Sequence, residues 1–237
     1  MKWEELPGYK LLKKEEIKTA YVDFTKVVDN YLIDSGFTLK GRKLVKQSND
    51  LFHIMHLDTR GSWMGVSDSF KTEISICSIY DRETFILNYE LTASKSIESL
   101  IPKIRNYYRI TQEYPLLAEF LSRKIKEKII PYFSKYQSSK DVLKNRKDFK
   151  LDNLTDITER NSNLLLYCEL ANKINKSSSI ILQNRLNRYE KFKLEAPIAT
   201  ETRELLTLIE KNDWDNIEKL LLENKKQVFK KLKIKDI

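Results

Sequence analysis

Between residues 36 and 79 extended apolar runs and turn residues alternate more densely than elsewhere in the chain, and this stretch restricts the fold most. Gly36-Phe37-Thr38-Leu39-Lys40-Gly41-Arg42 leads through a polar break to Leu51-Phe52-His53-Ile54-Met55-His56-Leu57. A connection containing Gly61 and Gly65 follows, and then Phe70-Lys71-Thr72-Glu73-Ile74-Ser75-Ile76-Cys77-Ser78-Ile79. Runs of β-branched and aromatic residues bounded by such breaks read as strands and hairpins. Alternation sends Leu51, His53, Met55 and Leu57 to one face of their strand and Phe52, Ile54 and His56 to the other. Both faces are apolar, so this strand is expected at the centre of a sheet covered on both sides. Residues 70–79 are expected to pair antiparallel with it, and a weaker strand or irregular crossing is expected over Thr84 to Leu91.

The flanking sequence changes to a helical period. Ile17, Tyr21, Phe24, Val27, Val28, Tyr31 and Leu32 recur at three and four residues, predicting a helix over 14–34 that Gly36 ends. From Ser96 onward Ile97, Leu100, Ile101 and Ile104 lead to Pro115, and Leu116 to Ile130 form a second stripe that Pro131 is expected to stop. Ser138 offers an N-cap for a short helix through Val142. Residues 154–237 read as helices throughout, and only helices are expected after residue 96. The expected fold class is α+β: a leading helix packed on a small antiparallel sheet, followed by an all-helical C-terminal subdomain. The α+β domain is placed at 1–148 and the helical subdomain at 149–237, because the charged, Asn-containing stretch from Lys144 to Asn153 is the best boundary.

Composition narrows the function classes. At 237 residues, with 41% hydrophobic and 11% aromatic content, the chain can bury a sizeable core and is not of the disordered class. No run of 18 apolar residues exists, and Pro7-Gly8 stands where a secretory peptide would need its apolar core. No membrane association and a cytoplasmic location are therefore expected. The two cysteines, Cys77 and Cys168, lack a Cys-x-x-Cys partner and are expected as buried free thiols. The net charge of +9 hints at an anionic partner, yet much of it comes from Lys225, Lys226, Lys230, Lys231, Lys233 and Lys235 near the end of the chain, which reads equally as a solvated helix face.

The leading helix, the Gly36-Phe37-Thr38-Leu39-Lys40-Gly41-Arg42 turn and the two strands together resemble an uncharacterised bacterial domain-of-unknown-function family with a Gly-Phe-x-x-x-Gly-Arg turn. The later segment Ile130-Pro131-Tyr132-Phe133-Ser134-Lys135-Tyr136, with Ser138-Ser139-Lys140-Asp141-Val142-Leu143, matches that pattern too. The resemblance spans about residues 15–145 and departs at His53 and His56, where other polar residues are expected. It implies the α+β arrangement and no chemistry.

No catalytic kit emerges from the residues. His53 and His56 are the only histidines, and three-residue spacing on a strand sends them to opposite faces, so a shared metal is not expected and each reads as a hydrogen-bonded sheet residue. Asp58 and Glu73 could face each other across the hairpin, but a salt bridge to Arg60 or Lys71 is the simpler reading. Ser62, Ser67 and Ser69 lack a Gly-x-Ser-x-Gly context. The one constellation that invites a test is an aromatic and basic surface of Arg42, Lys43, Arg60, Trp63 and Lys71, since Trp and Arg are enriched at contact hot spots and loops on a rigid sheet carry recognition residues. Trp63 reads equally as a plug folded over the sheet edge.

The expected function is that of a non-enzymatic cytosolic interaction protein, an adaptor or immunity-type partner of another protein. A weak, non-specific nucleic-acid binder is the alternative, motivated by the charge and by Tyr107, Tyr108 and Arg109 beside Arg105. An enzyme of unrecognised class is the third reading. No cofactor is implied.

Overall fold

The computed structural model describes residues 11–58, 69–86, 91–101, 107–152, 154, 158–191 and 197–234. The fold is α+β: a leading helix, a small antiparallel sheet and a helical C-terminal part. Two compact units divide it, each assembled from separated stretches: Met1–Gln47, Phe52–Ser75 and Ser94–Lys135 form the first, and Ser48–Leu51, Ile76–Ala93 and Tyr136–Ile237 the second.

In the first unit α1 (Lys14–Leu32) buries Ala20, Phe24, Val28 and Leu32, one residue per turn. A 3-10 turn, Ile33–Ser35, follows it, and Gly36 closes that turn at φ +78°, a left-handed conformation that side chains resist. Strands β1 (Thr38–Lys40) and β2 (Lys43–Ser48) pair with Lys40 opposite Lys43, leaving Gly41-Arg42 as a two-residue turn. Gly41 takes φ +63° at the first turn position, where a type II′ hairpin demands glycine. β3 (Leu51–Asp58) and β4 (Ser69–Ser78) follow, and residues 51–57 of β3 are all buried, as the two-sided apolar pattern requires. The sheet order is β1-β2-β3-β4-β5, with β5 (Lys95–Ser96) and β6 (Tyr107–Arg109) both antiparallel to β4. Helix α1 touches β1, and the Tyr21 hydroxyl donates to the Leu57 carbonyl of β3 at 2.6 Å.

Three expectations are corrected here. Helices alone were expected after residue 96, but β6 is a strand, and Ile97–Ser99 makes only one turn of 3-10 helix. The three residues of β6 are too few for a period of two to be read, and pairing with β4 decides the conformation. Over Thr84 to Leu91 the chain starts with α2 (Arg82–Ile86) instead of a strand. Asp81 supplies the reason: its carboxylate accepts from the Thr84 N–H at 3.0 Å and the Thr84 hydroxyl at 2.6 Å, capping a turn that alternation alone misreads. Residues 87–90 lie outside the described residues.

Nor does Pro131 stop its helix. α3 (Tyr114–Lys124) passes through a π turn, Ile125–Ile129, into α4 (Ile130–Phe133), so Pro131 sits inside the rod. In a regular α-helix its ring would strike the carbonyl of Glu127. The wider turn just before it gives that ring room. The continued helix brings Phe133 into the core, stacked on His53 with centroids 4.6 Å apart and planes 7° from parallel, and 5.9 Å from Phe37.

In the second unit α5 (Ser139–Lys144), α6 (Glu159–Ala171), α7 (Ser178–Lys191), α8 (Pro197–Glu210) and α9 (Trp214–Leu232) pack with α2 as neighbours: α5 on α6, α6 on α7, α7 on α8, α8 on α9, and α2 on α9. Cys77 and Cys168 are both buried, and neither is held in a disulfide. Burial pushes the Cys168 thiol well above its ordinary value, so it packs as a small apolar side chain. No described helix is long and apolar enough to cross a membrane.

Candidate functional site

The expected interaction surface is only partly built. Arg42 is exposed in the β1–β2 turn, its guanidinium 5.7 Å from the centre of the Tyr21 ring, and Lys43 opens β2 beside it. Lys71 is half-buried and bonded to Glu73 at 2.5 Å, so that lysine already serves a carboxylate of its own strand, in line with the salt-bridge reading of Glu73. Arg60, Trp63, Ser62, Ser67 and Arg105 lie outside the described residues. Tyr108 is 1% exposed, which makes it core; it is unfit to stack on a base, whereas Arg109 is exposed. His53 and His56 are both buried along β3, and among the described residues no group of three or more His, Cys, Asp or Glu is placed to hold a metal.

A second locus stands out in the helical unit. A cleft of about 410 Å³ is walled by α2, α6, α7, α8 and α9, with Leu182, Leu205 and Leu220 as its apolar surface. Three cations and three anions line it: Arg82, Arg185 and Lys219 against Glu83, Glu201 and Glu223, so the lining carries no net charge. Most of that charge is internally matched. Arg185 is 5% exposed, bonds Glu83 and also donates to the Asn163 carboxamide oxygen at 2.6 Å. Arg82 bonds Glu201 through Nη1 at 2.5 Å. Burial of an Arg is tolerated only with such partners, since an unpaired buried charge costs several kcal/mol.

Beneath this lining lies Asp81, fully buried. Burial first, and then the Glu83 carboxylate, push its carboxyl up to about 7, while the bonds from Thr84 and the charge of Arg185 pull the other way. Tyr167 is raised well above the ordinary phenol for the same reasons, burial first and then Glu83 and Asp81. The raised Asp81 predicts an inverted pH response. An unfolded Asp is ionised by pH 5, whereas the folded one keeps a proton until about 7, so folding takes up a proton in that window and stability falls as pH rises through it. From pH 5 to 8 the loss should be about 2 to 3 kcal/mol at 1.36 kcal/mol for each unit. Asp81→Asn should flatten it, measured as urea midpoints across that range.

Two polar groups of the cleft bear on what it can hold. The Nε–H of Arg82 is shielded from solvent without an acceptor. Asn224, 9% exposed, sits on the stripe of Ile217, Leu221 and Val228 and lines the same cleft. None of this cleft was among the expected site residues. The signal available in the sequence was a polar residue at an apolar stripe position: Arg185 among Ile181, Leu182, Leu186 and Tyr189, and Asn224 on α9. No family model, no curated protein and no solved structure matches the chain.

Proposed function

We propose that the protein is a non-enzymatic interaction protein of the adaptor or immunity type, acting in the cytoplasm on another protein, and that the helical-unit cleft is its binding element. The observation that carries this reading is the neutral balance of the cleft: charges that already satisfy one another beside a leucine wall favour a partner that is itself mostly uncharged. The resemblance of residues 15–145 to an uncharacterised bacterial family belongs to the same proposal and adds no chemistry to it. Nucleic acid is the second reading, favoured by +9 and by exposed Lys226, Lys230, Lys231 and Lys233 on and after α9. Such a contact would be weak on duplex DNA and fade as salt rises to physiological strength, because displaced counterions drive it.

The test is affinity capture from native lysate, with and without nuclease, using the full chain and Leu220→Lys, a half-buried position where a long side chain can fill the cleft without burying its charge. Protein partners that survive nuclease and disappear with Leu220→Lys support the proposal. Loss of every partner after nuclease moves the assignment to nucleic acid.

A further inference from the structure

We infer that the cleft takes a neutral, extended peptide segment: the Asn224 carboxamide pairs with a main-chain amide of the partner, and an apolar side chain of that segment lies among Leu182, Leu205 and Leu220. This deepens the interaction reading and rests on it. Three observations converge. Asn224 occupies a helix stripe position that otherwise carries Ile217, Leu221 and Val228, and it lines the cavity nine-tenths buried. A carboxamide set in an apolar stripe at a cavity wall offers a donor and an acceptor to whatever enters that cavity. The carboxamide offers one C=O acceptor beside an N–H donor, the same pair that a peptide group presents, so the two can bond to each other twice.

Arg82 adds the second observation, because its shielded Nε–H lines the same cavity and calls for an acceptor such as a carbonyl oxygen. The third is charge. A ligand carboxylate would answer Arg82 but would have to enter beside Glu83, Glu201 and Glu223, and a free zwitterionic amino acid would have to shed water from two charges. A main-chain amide supplies donor and acceptor with no net charge, and a leucine-sized side chain suits the three leucines. The peptide class is therefore favoured over a small organic acid.

The test uses the full-length protein labelled with nitrogen-15 and the probe N-acetyl-leucine methylamide, with 4-methylpentanoate and free leucine as comparisons. The expected result is saturable movement of the Asn224 side-chain amide resonance and of neighbouring α9 amides, with the capped leucine binding at least severalfold tighter than either comparison. Asn224→Ala should weaken it about tenfold, the equivalent of about 1.4 kcal/mol, while Lys226→Ala on the exposed face leaves it unchanged. Equal or tighter binding of 4-methylpentanoate, or wild-type affinity in Asn224→Ala, overturns the peptide assignment while leaving the cleft as a binding site. If no probe moves these resonances but Leu220→Lys still abolishes capture, the peptide assignment falls and the interaction reading stands. If neither the probes nor Leu220→Lys has an effect, both fall.

Discussion

Arg185→Leu should destabilise the protein by about 3 to 5 kcal/mol, because it removes one partner of a buried ion pair and strands the other. Arg185 and Glu83 have side chains 5% and 15% exposed, and Asn163 holds both, its oxygen accepting from Arg185 and its nitrogen donating to Glu83 at 3.3 Å. Without the guanidinium, Glu83 is left facing Asp81 and Tyr167 in a setting that already raises both groups. Removing the stranded charge as well, in Arg185→Leu with Glu83→Gln, should recover a large part of the loss. Urea unfolding of the single and double variants measures this, and a double variant as unstable as Arg185→Leu would show that the arginine matters through packing alone.

Glu169→Ala should cost a similar amount, about 3 to 5 kcal/mol. Glu169 is completely buried on α6, and its carboxylate accepts from Arg146 at 2.7 Å, the Ser177 N–H at 2.8 Å and the Ser178 hydroxyl at 2.9 Å. Two of those donors stand at the start of α7, where backbone N–H groups have no partner inside the helix. Truncation therefore frays the first turn of α7 as well as breaking the pair. Hydrogen exchange should report faster opening at Ser178 to Leu182 in Glu169→Ala than in Arg146→Ala, whose lost partner is 21% exposed. Equal protection in the two variants would contradict the capping role.

Periodicity carried the reading of the fold as far as each element's own residues could. The α1 stripe, the two-sided β3 and the Gly36 position were legible because a helix repeats every 3.6 residues, a buried strand is apolar on both faces, and positive φ selects glycine. Where a partner or a cap decided the conformation, local pattern failed. β6 is strand because β4 lies beside it, α2 is helix because Asp81 caps it, and Pro131 stays helical because the preceding π turn makes space. The cleft was less legible still. Glu83 and Arg185 are 102 positions apart, and nothing in the spacing of either announces the other. What the sequence does contain is misfit: Arg185, Glu169 and Asn224 each interrupt an apolar stripe, and each marks a buried polar device in the helical unit.

Site-specific photo-crosslinking in native lysate puts the central claim to the most direct test, with benzoylphenylalanine replacing Gln227 at the cleft in one variant and Arg42 at the β1–β2 turn in another. The account predicts a discrete protein adduct from position 227 that resists nuclease and is lost when Leu220→Lys is added. Adducts confined to position 42, or adducts at 227 that nuclease removes, would contradict it.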